Sequence, residues 1–406
     1  MNFHTKQKNQ ARPVPDKAEV VIIGGGIIGA SIAYNLAKNG VLKTVLLEKG
    51  TMGQGSTGKC AGGVRTQFST GINIQFSMLS LKVLKRFLED FGVDPEFHPV
   101  GYLFLACNQE QRSILHSNSI LMQSMGLDVE LLSPRAIQDR WPFLRTGDLS
   151  GGYYTERDGY AGPYEILQGY IKCARGMGAV ILEGLEVTEI QAEKGKIRSV
   201  KTATGEKIRT PLVINAAGPF AARVAAMLDL KLPVVPIRRQ VFFTDSLGGL
   251  PARFPLVIDM EYGWYMRREG KGILLSGPQD ENPSFNEKTD FDARLWTAER
   301  SLHRVSALEQ VRIVRGWAGL YEISPDNHAI IGSFPEMEGF ICANGFSGHG
   351  FMHAPATGIL VSELILHGRA SSIDVFPLRP SRFREGDLMY EPLTAFKKGN
   401  TSYAVL

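Results

Sequence analysis

The stretch AEVVIIGGGIIGASIAYNLAKNGVLKTVLLEKG, residues 18–50, carries the first residues whose types and spacing could do chemistry. Gly24, Gly26 and Gly29 fit G-x-G-x-x-G. They follow a β-branched apolar run, VVII, which reads as a buried parallel strand. Each glycine has its own task. Gly24 permits a tight turn, Gly26 lets backbone approach a pyrophosphate, and Gly29 lets the next helix pack on the strand. Ile28, Ile32 and Leu36 give that helix an apolar face. Its N-terminus offers N–H groups and a positive dipole end to phosphates. A second strand, KTVLLE, ends at Glu48, 19 residues beyond Gly29. An acid about 20 residues on accepts ribose hydroxyls and repels a 2′-phosphate, which disfavours NADP. The whole unit predicts a dinucleotide site. NAD and FAD share it, so the stretch alone does not choose between them.

The elements that must position such a site run the length of the chain. After Glu48, KGTMGQGSTGKCAGGVRTQFS is rich in small residues and fits neither an ordinary strand nor an ordinary helix. A backbone of this kind can lie against a flat ligand. Apolar spacing predicts helices over about 71–91, 109–125, 133–140, 163–177 and 290–305, and a strand over 100–107. EVTEIQAEKGKIRSVKTATGEKIRTPLVINAAG reads as a β-meander ending in a buried strand, and strands dominate 234–277. The nucleotide unit lies at the start, INAAG near the middle, and a glycine-rich turn entering a helix, NGFSGHGFMHAPATGILVSELIL, near the end. The predicted division is therefore discontinuous. Residues 18–95, 150–225 and 325–385 form a cofactor domain, and 96–149 with 226–324 form a substrate domain. Residues 1–17 read as a flexible tail and 386–406 as a C-terminal tail.

Composition narrows the function class. At roughly 100–200 residues per domain, 406 residues suggest two or three domains. A hydrophobic content of 44% with 21% charged residues is ordinary for a soluble protein. The net charge of +4, without a long basic stretch, argues against nucleic acid as a partner. No apolar run reaches the roughly 18–20 residues of a membrane span. MNFHTKQKNQARPVPDK lacks the apolar core of a secretory signal. Cys60, Cys107, Cys173 and Cys342 are widely spaced with no CxxC pair, so reduced thiols in a cytoplasmic protein are expected, and no metal site.

Five motifs follow one another between about residues 18 and 383: VVIIGGGIIGASIAYNLAKNG with LLEKG, STGKCAGGVR, LVINAAGPFA, GWAGLYEISPDNHAIIG and GFSGHGFMHAPATG. In this order and spacing the sequence resembles the D-amino-acid-oxidase-like flavoproteins. Within them it is most similar to the branch of sarcosine oxidase β-subunits, glycine oxidases and proline dehydrogenase β-subunits. The resemblance decides for FAD over NAD. It implies an α/β fold, with a Rossmann-like, glutathione-reductase-like FAD-binding domain and an inserted substrate domain built on a mixed or antiparallel sheet. It places Gly24, Gly26, Ile27, Ile28, Gly29, Glu48 and Lys49 at the ADP half of FAD. Ser56, Thr57, Lys59, Ala61, Gly62 and Gly63 should lie beside the flavin, with Val187, Ala216, Ala217, Gly218 and Gly319 against the cofactor. Gly345, Phe346, Ser347, Gly348, His349, Gly350, Phe351 and Met352 form a turn into a helix whose N-terminus should face the flavin pyrimidine edge. That dipole stabilises negative charge on the reduced ring.

The departures carry information too. Gly319 stands where some single-chain sarcosine oxidases bear the cysteine that links FAD, so non-covalent FAD is expected. No histidine lies between residues 151 and 175, so the covalent FMN of heterotetrameric relatives is not expected. Tyr321 replaces the arginine with which glycine and D-amino-acid oxidases clamp a carboxylate. Leu274 stands at the place of a lysine that helps oxygen react in monomeric sarcosine oxidase.

The family reaction removes a hydride equivalent from the carbon beside an amine nitrogen, and the resulting imine hydrolyses. A substrate carboxylate needs a cationic fork, and Arg65 resembles a substrate-side arginine of sarcosine oxidases. Tyr265, Tyr321 and His349 complete the expected catalytic set, His349 as a flavin neighbour. The expected substrate is a small amine or amino acid such as sarcosine, proline or glycine. Two alternatives stay open: a β-subunit that passes electrons to a partner chain, and a flavin-binding assembly factor without catalysis.

Overall fold

The computed structural model describes residues 13–41, 43–280 and 282–394. Its first sheet grows from Val20–Ile23, a strand buried along its whole length. This strand pairs in parallel with Thr44–Leu47 on one side and Val213–Asn215 on the other. Val180–Leu182 and Phe340–Asn344 extend the sheet in parallel, and Ile330–Ser333 closes it antiparallel as the sixth strand. The helix Ile27–Lys38 is buried from Ile27 through Ala37, because Pro163–Gly176 and Gly350–His367 pack on it.

Two glycines make the junction of strand and helix sterically feasible. Gly24 has φ +115°, and a Cβ there would stand 2.3 Å from the carbonyl oxygen of Ala216. A Cβ on Gly29 would stand 2.1 Å from the carbonyl oxygen of Gly24. The helix therefore starts directly over the strand end, as the sequence pattern requires.

A second sheet of eight strands carries the other half of the molecule. Its order runs Ile313–Ile323, Val235–Thr244, Gly272–Gln279, Trp264–Glu269, Leu256–Asp259, Tyr102–Ala106, Gly151–Thr155, Glu130–Leu132. Pairing is antiparallel except between Leu256–Asp259 and Tyr102–Ala106, so the sheet is mixed, as expected. The helix Phe291–Arg304 is pinned by Arg304, which is fully buried and pairs with Asp259 at 2.7 Å and Asp148 at 2.8 Å. The expected meander is a separate three-stranded sheet of Val187–Glu193, Lys196–Thr202 and Lys207–Arg209. No described helix is long and apolar enough to cross a membrane.

Several details differ from the sequence reading. Gly151–Thr155 belongs to the second sheet, so the expected boundary at residue 150 does not follow the strand pairing. The glycine-rich loop is not featureless. It holds one helical turn, Ser56–Lys59, and a strand, Gly63–Val64, paired with Gly159–Tyr160. The helix expected over 71–91 breaks at Arg86 into Gly71–Lys85 and Phe87–Phe91. Of the expected N-terminal tail, residues 1–12 lie outside the described residues. Asp16 is tied down by a 2.7 Å ion pair with Arg209 and a backbone hydrogen bond from the same residue. Residues 386–394 are also not a loose tail, since Glu391 and Leu393 are buried. Residues 395–406 lie outside the described residues.

The start of the helix Gly350–His367 contains two buried imidazoles whose hydrogen bonds fix their protonation. His349 Nε2 lies 3.1 Å from the carbonyl oxygen of Asn327, which can only accept, so that nitrogen carries the proton. His349 Nδ1 lies 3.1 Å from His353 Nδ1, and His353 Nε2 lies 3.0 Å from Ser77 Oγ. Both rings are satisfied while neutral. Burial pushes His349 down to about 3 and His353 well below its ordinary value. The unfolded chain binds those protons near pH 6.5, so stability from this pair is full above that pH and is lost on acidification toward 3.

Two outcomes are expected from this packing. Gly29→Ala should lower stability by at least about 1–3 kcal/mol through overpacking, read as a lower urea midpoint; an unchanged midpoint would contradict the contact. Between pH 6 and 4, His349→Asn should flatten the fall of stability by roughly one proton, about 1.4 kcal/mol per pH unit. Equal slopes in the two proteins would contradict a neutral buried ring.

Candidate active site

The two sheets bound a cavity of about 570 Å³ that begins at the glycine turn. The helix Ile27–Lys38 receives no side-chain cap from Gly26, and Gly24, Gly26, Ile27 and Ile28 all face the cavity. Thr57 Oγ1 accepts from the Ile27 N–H at 3.0 Å and thereby docks the glycine-rich loop on the helix start. Glu48 closes the far side. Its two oxygens accept from the N–H groups of Gly25 at 2.7 Å and Gly50 at 2.8 Å, which fixes the carboxylate at the cavity edge. Lys49 stands 3.1 Å over the Phe220 ring, itself stacked on Phe285. A helix N-terminus facing the cavity, a glycine cradle and an edge carboxylate fit the phosphates and ribose of a dinucleotide.

The loop after Glu48 is held against the second sheet. Ser56 Oγ donates to the Leu320 carbonyl at 2.6 Å, and Trp317 Nε1 donates to the Lys59 carbonyl at 3.0 Å. Lys59 pairs with Glu287 at 2.7 Å. Gly319 is where the loop comes closest, since a Cβ there would stand 2.9 Å from the Lys59 Cβ. Arg267, on the strand Trp264–Glu269, is buried and donates to the Ala61 carbonyl at 2.7 Å.

A smaller cavity of about 120 Å³ adjoins the first and shares walls with it: Cys60, Ala61, Arg239, Tyr265, Tyr321 and Gly348. Arg65 lines this smaller space at only 5% exposure. Its guanidinium lies 3.9 Å over the Phe68 ring, and Nη1 donates to the Gln67 carbonyl. Among the described residues Arg65 forms no ion pair with an acid. Asp158 is buried nearby, but its carboxylate accepts from the Thr66 N–H at 2.8 Å and from Thr66 Oγ1 at 3.0 Å. Burial pushes Asp158 up to about 7. A buried cation without an anion is costly, and a ligand carboxylate would relieve that cost.

Tyr265 and Tyr321 face both cavities, and burial raises both phenols above their ordinary value, so each remains a hydrogen-bond donor. Tyr321 packs on the turn before the last long helix, where a Cβ on Gly348 would stand 2.4 Å from its ring. Every expected cofactor residue lines one cavity or the other except Gly29, Gly345 and His349. Gly29 acts at the helix–strand contact. Gly345 donates its N–H to Glu322 at 3.1 Å. His349 needs correction as a catalytic candidate: its ring turns into the core, edge-on to Phe68, with both nitrogens engaged as described above.

Arg239, Glu322 and Leu393 are among the lining residues that escaped the sequence reading. Arg239 faces both cavities and sits 4.7 Å over the Tyr321 ring. Its neighbour Arg238 turns outward to Asp280 and Asp290, as strand alternation demands. The pair RR inside an apolar strand was the available signal. Glu322, an acid in the same strand as Gly319, lines the larger cavity and is pushed up to about 7 by burial. Leu393 lines the smaller cavity from far along the chain.

Comparison with known proteins agrees with this geometry. The family described as FAD dependent oxidoreductase matches residues 19–364. FAD-dependent oxidoreductase domain-containing protein 1 of Xenopus laevis is 33% identical, over 91% of this chain and 83% of its own length. Mitochondrial dimethylglycine dehydrogenase of Homo sapiens is 30% identical over 91% of this chain, which spans 44% of that protein. The crystal structure of L-proline dehydrogenase from P. horikoshii superposes with a TM-score of 0.86 at 32% identity, covering 92% of this chain and 100% of that one. The family read from the five motifs is borne out: the chain belongs to the FAD-dependent oxidoreductases, as an enzyme related to amino-acid dehydrogenases.

Proposed function

We propose that the chain oxidises a small primary or secondary amino acid, of the sarcosine, proline or glycine type, at its C–N bond. The observation that carries this reading is Arg65, a buried guanidinium at the wall of a small chamber beside the FAD site, with no acid paired to it among the described residues. The names of dimethylglycine dehydrogenase and L-proline dehydrogenase support the same substrate class. Bound FAD supplies the hydride acceptor for the carbon beside the nitrogen. The chain's own residues do the rest. Arg65 holds the carboxylate by charge-assisted hydrogen bonds and so fixes which C–H faces the cofactor. Tyr265 and Tyr321 remain protonated and donate to the bound substrate. The apolar walls disfavour an ammonium ion, which favours the neutral amine that can lose hydride.

A second reading concerns where the electrons go next. Leu274 is buried among Val241, Phe243, Ala61, Tyr265 and Trp317, and brings no ammonium to a place where an oxygen-reactive relative has one. This supports an acceptor other than oxygen, either a partner subunit or a small carrier.

The test is anaerobic absorbance of the FAD-loaded protein titrated with sarcosine, L-proline, D-proline and glycine, followed by air. Bleaching near about 450 nm, the cofactor's own signal, with slow recovery in air is the expected result. No bleaching by these or by a broader amine panel would favour a non-catalytic flavoprotein. Arg65→Met should weaken the active amino acid about 10–100-fold by removing a charged hydrogen-bond pair, while a secondary amine without a carboxylate is affected much less. Equal losses on both ligands would contradict a carboxylate role.

A further inference from the structure

The segment beyond the short helix Arg382–Glu385 is fastened at both ends, and the second fastening lies two residues from a wall of the smaller chamber. Arg382 is fully buried, and its Nε and Nη2 donate to the two carboxylate oxygens of Asp326 at 2.8 and 2.9 Å. Gly386, with φ +73°, then turns the chain back. Glu391 is 1% exposed. Its carboxylate accepts from the Ser69 N–H at 2.9 and 3.0 Å, from Asn73 Nδ2 at 3.2 Å and from Thr70 Oγ1 at 3.3 Å. These groups stand at the N-terminus of the helix Gly71–Lys85, where Thr70 gives no cap of its own, so Glu391 supplies the missing anion. Two residues later Leu393 has no exposed surface and forms part of the small chamber's wall, with Arg65, Tyr102, Leu256, Ile258 and Met352.

We infer that Leu393 is the wall that sets how large a substrate the chamber admits, with Glu391 as the residue that positions it. This rests on the reading of the small chamber as the carboxylate site. A leucine at a wall shared with Arg65 limits the bulk a carboxylate can carry behind it. The anchor at Glu391 keeps that wall from yielding, because withdrawal would leave the buried Ser69 N–H and Asn73 amide without this acceptor and a buried leucine exposed.

The experiment measures dissociation constants of unreactive carboxylates, acetate through hexanoate, from their perturbation of the flavin absorbance in the FAD-loaded protein. For wild type, affinity should fall beyond a short chain length. Leu393→Ala should improve the hexanoate-to-acetate affinity ratio at least tenfold, and Leu393→Trp should worsen it and shorten the cut-off. Glu391→Gln should improve the ratio in the same direction as Leu393→Ala. The Trp variant keeps the inference testable should the Ala variant lose FAD. Unchanged ratios in the Leu393 variants, or no spectral response to any carboxylate in wild type, would overturn it. Arg65→Met separates the two claims. If it leaves the affinities intact while the Leu393 variants shift the ratio, Arg65 is not the carboxylate site but the wall stands.

Discussion

A steric constraint at one turn governs the geometry of the whole site. The Gly24 backbone lies against the Ala216 carbonyl, and the Gly29 backbone lies against the Gly24 carbonyl. No side chain fits in either gap. These contacts bring the start of the helix Ile27–Lys38 over the junction of two parallel strands, so its N–H groups face the cavity instead of the sheet. The rest is built outward from there. Thr57 docks the following loop on the helix start, Ser56 docks the same loop on the second sheet, and Lys59 closes against Gly319. The loop that touches both sheets leads to Arg65, whose side chain lines the smaller chamber beside the larger cavity.

Electrostatics then gives that chamber its sign. His349 and His353 are kept neutral chiefly by burial, with Arg65 adding to the effect. The buried carboxyl of Asp158 is held by Thr66 and raised to about 7, chiefly by burial. Arg239 adds a second guanidinium at the shared wall. Arg65 gives the chamber a cationic wall, which suits a negatively charged ligand. The aromatic face of Phe68 softens the cost of keeping the Arg65 guanidinium from bulk water.

Much of this was legible in the sequence because the relevant signals are local. The strand, glycine turn, helix and acid of residues 18–50 announce themselves through spacing, and so does the helix over 290–305 with its aspartate cap. What was not legible depends on side-chain direction or on distant pairing. The ring of His349 faces inward because Asn327, His353 and Ser77 form a chain of hydrogen bonds that only the folded loop assembles. Gly151–Thr155 joins the second sheet through Tyr102–Ala106, a pairing no local pattern marks. Residues 386–394 look like a polar tail until Glu391 is seen accepting hydrogen bonds from Ser69 and Asn73, more than three hundred residues earlier.

The central claim is that a carboxylate binds at Arg65 beside the FAD site. The most direct measurement is a crystal structure of the FAD-loaded protein with methoxyacetate, in which an ether oxygen replaces the amine of N-methylglycine. The account predicts the carboxylate within hydrogen-bonding distance of the Arg65 guanidinium, with its methylene toward the flavin. A carboxylate seated on Arg239 alone, with Arg65 still directed at the Gln67 carbonyl, would contradict it.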